Sequence, residues 1–348
     1  MLACRLHSLL LRALTVVTAT SCLFGCSPDE GTASRPVSGA NAMRHVEKMV
    51  ALGPRPAGSP ALLACRNQIK QHLAGLGLKT YQQDWWETDS VQKKKVRMHN
   101  IWTEIPGRDP VKGPILMLCA HYDTKLCQGH QDVEGEQRNF EFVGAIDGAG
   151  ASAVLMELAG HLAKRNNGPN VWILWVDGEE SIPWTWKPDN TECLHGSRHF
   201  VDVMSKDKKR FPLGLANRIK AFVLLDLIGS KNIKIDKDKN SNPTLNKIFQ
   251  QAAEAMGEGA RMYAHASAMT DDHLPFQKKG ITVIDLIDFH FRVPKGNRDP
   301  NYEAWWHTAD DNLAAMDPAS LAFAGNLVWT ALPLIEKKIF KMAANSQK

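Results

Sequence analysis

The chain has 348 residues, of which 44% are hydrophobic and 23% are charged. This composition is typical of a folded globular protein and excludes an intrinsically disordered chain, a collagen and a coiled coil. The formal net charge is +5, and Arg5 and Arg12 near the start of the chain contribute two of those charges. The remaining +3 is too small for a nucleic-acid-binding surface, so we expect no nucleic-acid partner.

The first 26 residues have the pattern of an export signal. Two arginines accompany an apolar run of about 13 residues at positions 13–25, which is too short to span a bilayer. The run ends in Leu23-Phe24-Gly25-Cys26, which resembles the lipobox of bacterial lipoproteins, where the cysteine is acylated and becomes the new N-terminus. We therefore expect an exported bacterial lipoprotein anchored to the membrane through Cys26, with an ordinary cleaved signal peptide as the alternative.

Two further parts follow this segment. Residues 27–40 are rich in serine, glycine and proline, which predicts a flexible tether, and residues 41–345 are predicted to form one catalytic domain. The exported part contains four cysteines, for which the sequence leaves all three pairings open: Cys65, Cys119, Cys127 and Cys193. None of them forms a Cys-x-x-Cys pair, so we do not expect a thiolate zinc site.

The apolar periodicity of the body predicts alternating strands and helices. Helices are predicted at 40–51, 60–74, 149–163 and 245–255, and a last one after the cap formed by Asp317 and Pro318. Strands are predicted at 78–86, 96–105, 115–120, 171–176, 221–225 and 281–287. Apolar strands separated by helices indicate a single α/β domain with a mostly parallel, twisted central sheet flanked by helices.

Polar side chains that can bind a metal follow several of these strands. They are His121, Asp123, Asp147, Asp177, Glu179, Glu180, Asp226 and, later in the chain, His307. A single such residue is most often a turn former or a helix cap, but two adjacent carboxylates after an apolar strand repel each other unless a cation or a shared proton compensates them. Ligands of open α/β sheets bind at the carboxyl ends of the strands. Nitrogen and oxygen ligands without sulfur suit a catalytic zinc, so the pattern favours a metalloenzyme.

Motifs of other enzyme classes are absent from the sequence. It contains no His-Glu-x-x-His, no Gly-x-Ser-x-Gly and no phosphate-binding loop of the Gly-x-x-x-x-Gly-Lys type.

The complete set of motifs resembles one family. The motifs are Leu52-Gly53-Pro54-Arg55-Pro56-Ala57-Gly58-Ser59-Pro60, His121-Tyr122-Asp123, Asp147, Asp177-Gly178-Glu179-Glu180, Gly196-Ser197-Arg198, Leu224-Leu225-Asp226-Leu227-Ile228-Gly229, Asp271-Asp272-His273-Leu274-Pro275-Phe276 and Trp306-His307-Thr308-Ala309-Asp310-Asp311-Asn312. They resemble the animal-type glutaminyl-peptide cyclotransferases, or glutaminyl cyclases, which belong to the clan of zinc aminopeptidases. The resemblance covers about residues 40–340 and implies the aminopeptidase-like fold of that clan.

The resemblance also implies a site and a reaction. Asp147, Glu180 and His307 would bind one zinc ion per chain, and Glu179 would be the general acid and base. Asp226 and Asp271 would form a carboxylate network beside Glu179. Four residues would contact the substrate: Trp306, Trp186, Tyr302 and Thr270, with Trp184 as the alternative to Trp186. The implied reaction converts the N-terminal glutamine of peptides or proteins to pyroglutamate with release of ammonia, carried out by a monomer.

Two other functions remain open at this stage. His121 and Asp226 could complete a second metal site that shares Asp147, which would make the protein a two-zinc aminopeptidase. The chain could also be a surface-anchored binding module without catalytic activity.

Overall fold

A mixed six-stranded sheet forms the centre of the computed structural model of this chain. The structure describes residues 35–127, 130–131, 137–165, 168–183, 191–289 and 306–345. Residues from Arg35 onward form one compact unit.

The elements alternate along the chain much as the periodicity predicts. The strands are β1 Thr80–Asp89, β2 Lys94–Ile105, β3 Ile115–His121, β4 His130–Gln131, β5 Gln137–Arg138, β6 Asn170–Val176, β7 Ile219–Asp226, β8 Ile235–Asp238, β9 Met262–Ser267 and β10 Val283–Ile287. The α-helices are α1 Gly39–Val50, α2 Pro60–Gly75, α3 Ala151–Leu162, α4 His195–Lys206, α5 Leu215–Arg218, α6 Pro243–Ala255, α7 His273–Gln277 and α8 Pro318–Asn345.

The strand order in the main sheet is β1-β2-β6-β3-β7-β10. Strands β6, β3, β7 and β10 are parallel to one another, while β1 and β2 form an antiparallel edge. The register pairs His121 with Val176 and Asp226 with Ile287, so these strands end at the same edge of the sheet. The predicted fold class is confirmed.

Helices cover both faces of the sheet, and the central strands are buried throughout. In β3, Leu116 and Leu118 belong to one hydrophobic core and Ile115 and Met117 to the other, because successive side chains of a strand point to opposite faces. A strand covered on both faces reads as a continuous apolar run rather than as an alternating pattern. This is why β3, β6 and β7 are the most readily predicted strands.

The structure departs from the sequence prediction at a few positions. The tether predicted for 27–40 ends earlier than expected, because Val37 is buried and Ser38 caps helix α1, which begins at Gly39. Helix α3 begins two residues later than predicted, since a wider π-type turn occupies Ala145–Gly150. Helix α4 and the short elements α5, α7, β4, β5, β8 and β9 were not predicted. Cys26 and most of the tether lie outside the described residues.

Helix α8 is the one helix among the described residues that is long and apolar enough to cross a membrane. About 61% of its apolar stretch is buried, and it packs against α1 and α6. This burial is typical of a core helix.

The structure also bears on the cysteines. Cys65 and Cys119 are buried free thiols, which excludes every pairing that includes either of them. Burial raises the pKa of the Cys193 thiol to about 11.

Candidate active site

A cavity of about 240 Å³ lies at the carboxyl ends of the parallel strands. It is lined by every predicted site residue that the structure describes: Asp147, Glu179, Glu180, Asp226, Thr270, Asp271, Trp306 and His307. Trp186, its alternative Trp184, and Tyr302 lie outside the described residues.

The π-type turn that leads into α3 and the carboxylate of Asp311 set the position of Asp147. This residue precedes Gly148, whose φ of +97° suits a residue without a Cβ; an added Cβ would lie 2.6 Å from the carbonyl oxygen of Asp123. The carboxylate of Asp311 accepts hydrogen bonds from the backbone N–H of Ile146 at 2.7 Å and of Asp147 at 3.0 Å. Asp311 is buried, so it fixes the backbone from which the Asp147 side chain projects.

The segment after β6 carries the adjacent glutamates. The two carboxylate oxygens of Asp123 accept one hydrogen bond each, from the N–H of Glu179 and from the N–H of Glu180, both at 3.3 Å. The buried Lys125 ammonium donates to the Ser181 hydroxyl and thereby holds the chain just beyond the pair. The two glutamate side chains therefore start from a backbone that is fixed on both sides.

His307 has a left-handed backbone with φ of +53°, which is uncommon for a residue with a side chain. The Trp306 ring stacks on the His307 ring with centroids 4.0 Å apart, and Phe142 meets the same imidazole edge-on at 5.6 Å. Such backbone strain concentrates at functional sites. Phe289 packs against Trp306 at 5.6 Å and extends the aromatic wall of the cavity.

Asp147, Glu180 and His307 could together hold a metal ion. One ligand atom from each lies within 4.8 Å of the others: His307 Nε2 is 2.9 Å from Glu180 Oε2 and 3.6 Å from Asp147 Oδ2. Zinc bonds of about 2.0–2.2 Å can join atoms at these separations. Asp147 Oδ2 and Glu180 Oε1 are buried and accept no hydrogen bond within the described part of the chain.

The electrostatics of this group also fit a cation. Burial lowers the pKa of His307 to about 3, so its imidazole is neutral, as a metal ligand must be. Burial, followed by the charge of Glu180, raises the pKa of Asp147 to about 6. Burial, with smaller contributions from Asp123 and Asp226, raises the pKa of Glu180 to about 7. Two buried carboxylates that are costly to ionise would be stabilised by a divalent cation.

Glu179 lies beside this group, with its own carboxyl group buried. Burial, and then the nearby carboxylates of Asp271 and Glu180, raise the pKa of Glu179 well above its ordinary value. A carboxyl group with a raised pKa can hold a proton near neutral pH and release it. Asp271 is itself buried, which raises its pKa as well.

His121 occupies the centre of the carboxylates. Its Nε2 lies 3.1 Å from Asp147 Oδ1 and 3.1 Å from Asp226 Oδ1, and its Nδ1 lies 3.5 Å from Asp123 Oδ1. Burial opposes its protonation, but these three carboxylates raise the pKa of His121 well above its ordinary value. One ligand atom from each of His121, Asp147 and Asp226 also lies within 4.8 Å of the others, so these residues could form a second metal group.

The model of "Peptidase family M28" matches residues 100–332, about two thirds of the chain. The chain belongs to peptidase family M28. Several M28 relatives are glutaminyl cyclases. A crystal structure of Acidobacteriales bacterium glutaminyl cyclase is 31% identical, covers 90% of this chain and 99% of its own, and superimposes with a TM-score of 0.75. That of Porphyromonas gingivalis glutaminyl cyclase is 25% identical, with coverage of 86% and 99% and a TM-score of 0.71.

The curated relatives agree with the solved structures. Glutaminyl-peptide cyclotransferase of Bothrops jararaca is 28% identical over 300 residues, which is 77% of this chain and 73% of the relative. The resemblance to the glutaminyl cyclases and the prediction of an enzyme are therefore confirmed.

Sequence reasoning missed the part that four residues play in this M28 site: it listed Asp123 only as a possible metal ligand and assigned no role to Lys125, Phe289 and Asp311. Asp123 and Asp311 accept backbone hydrogen bonds beneath the candidate ligands, Lys125 holds the chain after Glu180, and Phe289 lines the cavity. The two aspartates stand in the segments that carry the resemblance, two residues after His121 and four after His307. That spacing was the available signal, but the side chains support the ligands through the backbone, which a motif does not reveal.

Proposed function

We propose that this enzyme is a monomeric glutaminyl-peptide cyclotransferase that converts the N-terminal glutamine of peptides or proteins to pyroglutamate and releases ammonia. The observation that carries the proposal is the convergence of Asp147, Glu180 and His307 at one end of an aromatic-walled cavity, with the buried Glu179 beside them. The cavity is smaller than the 300–1,000 Å³ of common ligand pockets, which suits one amino-acid residue better than a length of peptide.

Asp147, Glu180 and His307 are proposed to hold one zinc ion per chain. A zinc ion bound there supplies Lewis-acid polarisation of the side-chain amide carbonyl of the substrate. Lys125 and His121 are buried beside these ligands, and their charges act against the increase that burial causes in the pKa of Glu180.

Glu179 is proposed to move the proton. Its carboxylate accepts a proton from the substrate α-amine, whose nitrogen forms a bond to the amide carbon of the same residue. The bond from that carbon to the amide nitrogen then breaks, and Glu179 returns the proton to the departing ammonia. The α-amine and the amide belong to one residue, so holding both groups in register replaces a bimolecular encounter. No water is consumed.

The remaining cavity residues are proposed to orient the substrate. Trp306, which stacks on His307, and Phe289 form an apolar wall for a neutral side chain. Thr270 lines the same cavity and offers a hydroxyl group. Asp271 keeps the pKa of Glu179 raised, and Asp226 orients the imidazole of His121.

Incubation of the purified protein with peptides that begin with glutamine or leucine tests the proposal. The glutamine-led peptide should lose the mass of one ammonia and keep every residue, while the leucine-led peptide stays intact. Release of free leucine, with no ammonia from the glutamine-led peptide, would overturn the proposal.

A two-zinc aminopeptidase is the second candidate, and the grouping of His121, Asp147 and Asp226 favours it. Metal analysis of fully active protein separates the two candidates. We expect about one zinc per chain, since an attacking α-amine needs no second metal to carry a hydroxide nucleophile. Two zinc ions per chain, one of which is lost in His121→Gln, would favour the aminopeptidase.

The N-terminal segment supports a separate proposal on localisation. The lipobox-like Leu23–Cys26 suggests a bacterial lipoprotein held at the membrane by a lipid anchor. The full-length protein should then fractionate with membranes, and Cys26→Ser should release or mislocalise it. A wild-type protein found entirely in the soluble exported fraction would contradict the anchor.

A further inference from the structure

A second, larger cavity lies next to the active-site cavity. It has a volume of about 500 Å³ and is formed by the first turns of α4 and by α7 with the residues around it. Thr270 lines both cavities, so the second cavity, here called the groove, adjoins the first at this residue.

The groove is basic. Arg198, Lys278 and Lys279 line it, against one carboxylate, Asp202, which already accepts a hydrogen bond from Lys206 at 2.6 Å. Lys278 and Lys279 are exposed, and neither forms an ion pair within the residues that the structure describes. The lining side chains therefore present an excess of positive charge to whatever enters the groove.

The size of the active-site cavity makes the groove relevant to a peptide substrate. Its 240 Å³ suits one residue, so the residues that follow the N-terminal glutamine must lie outside it. Thr270 is at the boundary from which they would leave, and apolar surface from Leu274 and Val201 lies beyond it. An extended peptide can cross such a surface while its side chains reach the lysines at the rim.

We infer that this groove binds the residues that follow the N-terminal glutamine, and that it selects peptides that carry a carboxylate there. The inference rests on the proposed function and adds a substrate preference to it. Lys278 and Lys279 are the specificity-determining residues. The carboxylate can belong to an acidic side chain or to the C-terminus of a short peptide, because the same two ammonium groups suit both.

The test compares matched peptides of the form Gln-Ala-Glu-Ala and Gln-Ala-Lys-Ala, each with a free and an amidated C-terminus. In the wild type we expect kcat/KM to be roughly threefold to tenfold higher for the glutamate peptide, mainly through KM, since exposed ion pairs are weak and act on binding. Amidation should lower kcat/KM only if the C-terminal carboxylate also occupies the groove.

Two charge-reversed variants complete the test. Lys278→Glu/Lys279→Glu should reverse the preference, so that the lysine peptide becomes the better substrate. Lys208→Glu/Lys209→Glu changes two adjacent exposed lysines beyond the far end of α4 and has the same net charge. This control should keep the wild-type preference, because only a local contact distinguishes the two pairs.

Equal kcat/KM for the acidic and basic peptides in the wild type would overturn the inference, as would the same shift in both variants. Failure of the proposed function has a different signature, since no glutamine-led peptide would then release ammonia.

Discussion

Three buried groups of one histidine and two carboxylates lie within the described residues, and two of them that share no residue invite comparison. Asp147, Glu180 and His307 form the cavity cluster, and a second trio forms the closed cluster: Asp238, His273 and Asp285. Each trio has ligand-type atoms within 4.8 Å of one another, so distance alone does not distinguish them.

Hydrogen bonds satisfy Asp238 in the closed cluster, although both oxygens of Asp285 there accept none from the described residues. In the closed cluster, Asp238 accepts from the N–H of Asn240 and of Met269 and from the Ser241 hydroxyl, at 2.7–3.0 Å. Burial opposes its ionisation, but His273 and these donors lower the pKa of Asp238. In the cavity cluster, no residue that the structure describes donates to Asp147 Oδ2 or Glu180 Oε1.

The two clusters also differ in how far a ligand can reach them from the solvent. The cavity cluster lines an open cavity, whereas Asp238 and His273 have essentially no exposed surface. His273 Nε2 lies 3.3 Å from Asp238 and its Nδ1 lies 3.8 Å from Asp285, so opposite edges of the ring face the two carboxylates. One metal ion binds one nitrogen of a ring, and this arrangement therefore favours a structural role. The comparison indicates that an open approach, together with ligand atoms that can face one ion, identifies a metal site better than spacing or oxygens without donors do.

The largest effect is expected from the two adjacent glutamates. Glu179→Gln should keep its zinc and lose about 10²–10⁴ in turnover, because only the proton carrier is removed. Glu180→Gln should lose both zinc and turnover, because a ligand is lost. Zinc content and ammonia release, measured on the same preparations, check the difference.

Glu141→Gln, outside both clusters, serves as the matched control and should retain both zinc and turnover. Equal zinc loss in Glu179→Gln and Glu180→Gln would mean that the two roles are wrongly assigned.

Much of this site could be predicted from the sequence because several of its polar side chains lie at or just after the ends of predicted strands. Asp226 and the two glutamates directly follow or close apolar runs, and parallel strands bring their carboxyl ends to one edge. His307 is different, since it ends none of the strands within the described residues. Sequence reasoning listed it among the side chains that can bind a metal, and the resemblance then assigned it as a ligand, but its left-handed backbone has no signature in a single sequence.

The closed cluster was not predictable from local pattern. Asp238 lies in a four-residue strand, His273 opens a five-residue helix, and both elements are too short to produce a periodic signal. Asp285 interrupts an apolar run in β10. These groups come together only through tertiary packing.

Asp238→Asn tests the closed cluster. The change removes the carboxylate beside His273 and turns an amide toward backbone donors, so we expect a loss of about 3–5 kcal/mol in the free energy of unfolding. Zinc content should stay at the wild-type value. Urea denaturation and metal analysis check both expectations.

Asp202→Asn, an exposed change on α4, should alter the free energy of unfolding by no more than about 0.5 kcal/mol. Zinc loss in Asp238→Asn without a stability change would remove the distinction between the clusters.

The smallest expected effect concerns the pH dependence of stability and Asp285. This carboxyl group is buried, neither oxygen accepts a hydrogen bond, and burial followed by the charge of Asp238 raises its pKa well above the ordinary 3.8. Between that value and the folded-state pKa, the native protein keeps a proton that the unfolded chain releases, so this group makes stability fall as pH rises.

Asp285→Asn removes that contribution. The stability of the variant relative to the wild type should therefore increase from pH 5 to pH 8, by up to about 1.4 kcal/mol for each unit over which Asp285 stays protonated. Urea denaturation at both pH values, with equal zinc in every sample, measures the difference in the free energy of unfolding between the variant and the wild type. Both proteins contain the same cavity cluster, so its contribution to the pH dependence cancels in that difference. In Asp202→Asn, the free energy of unfolding should change with pH as it does in the wild type. If the free energy of unfolding of Asp285→Asn also changes with pH as in the wild type, Asp285 is ionised in the folded protein. The closed cluster would then carry a charge that only a cation could balance.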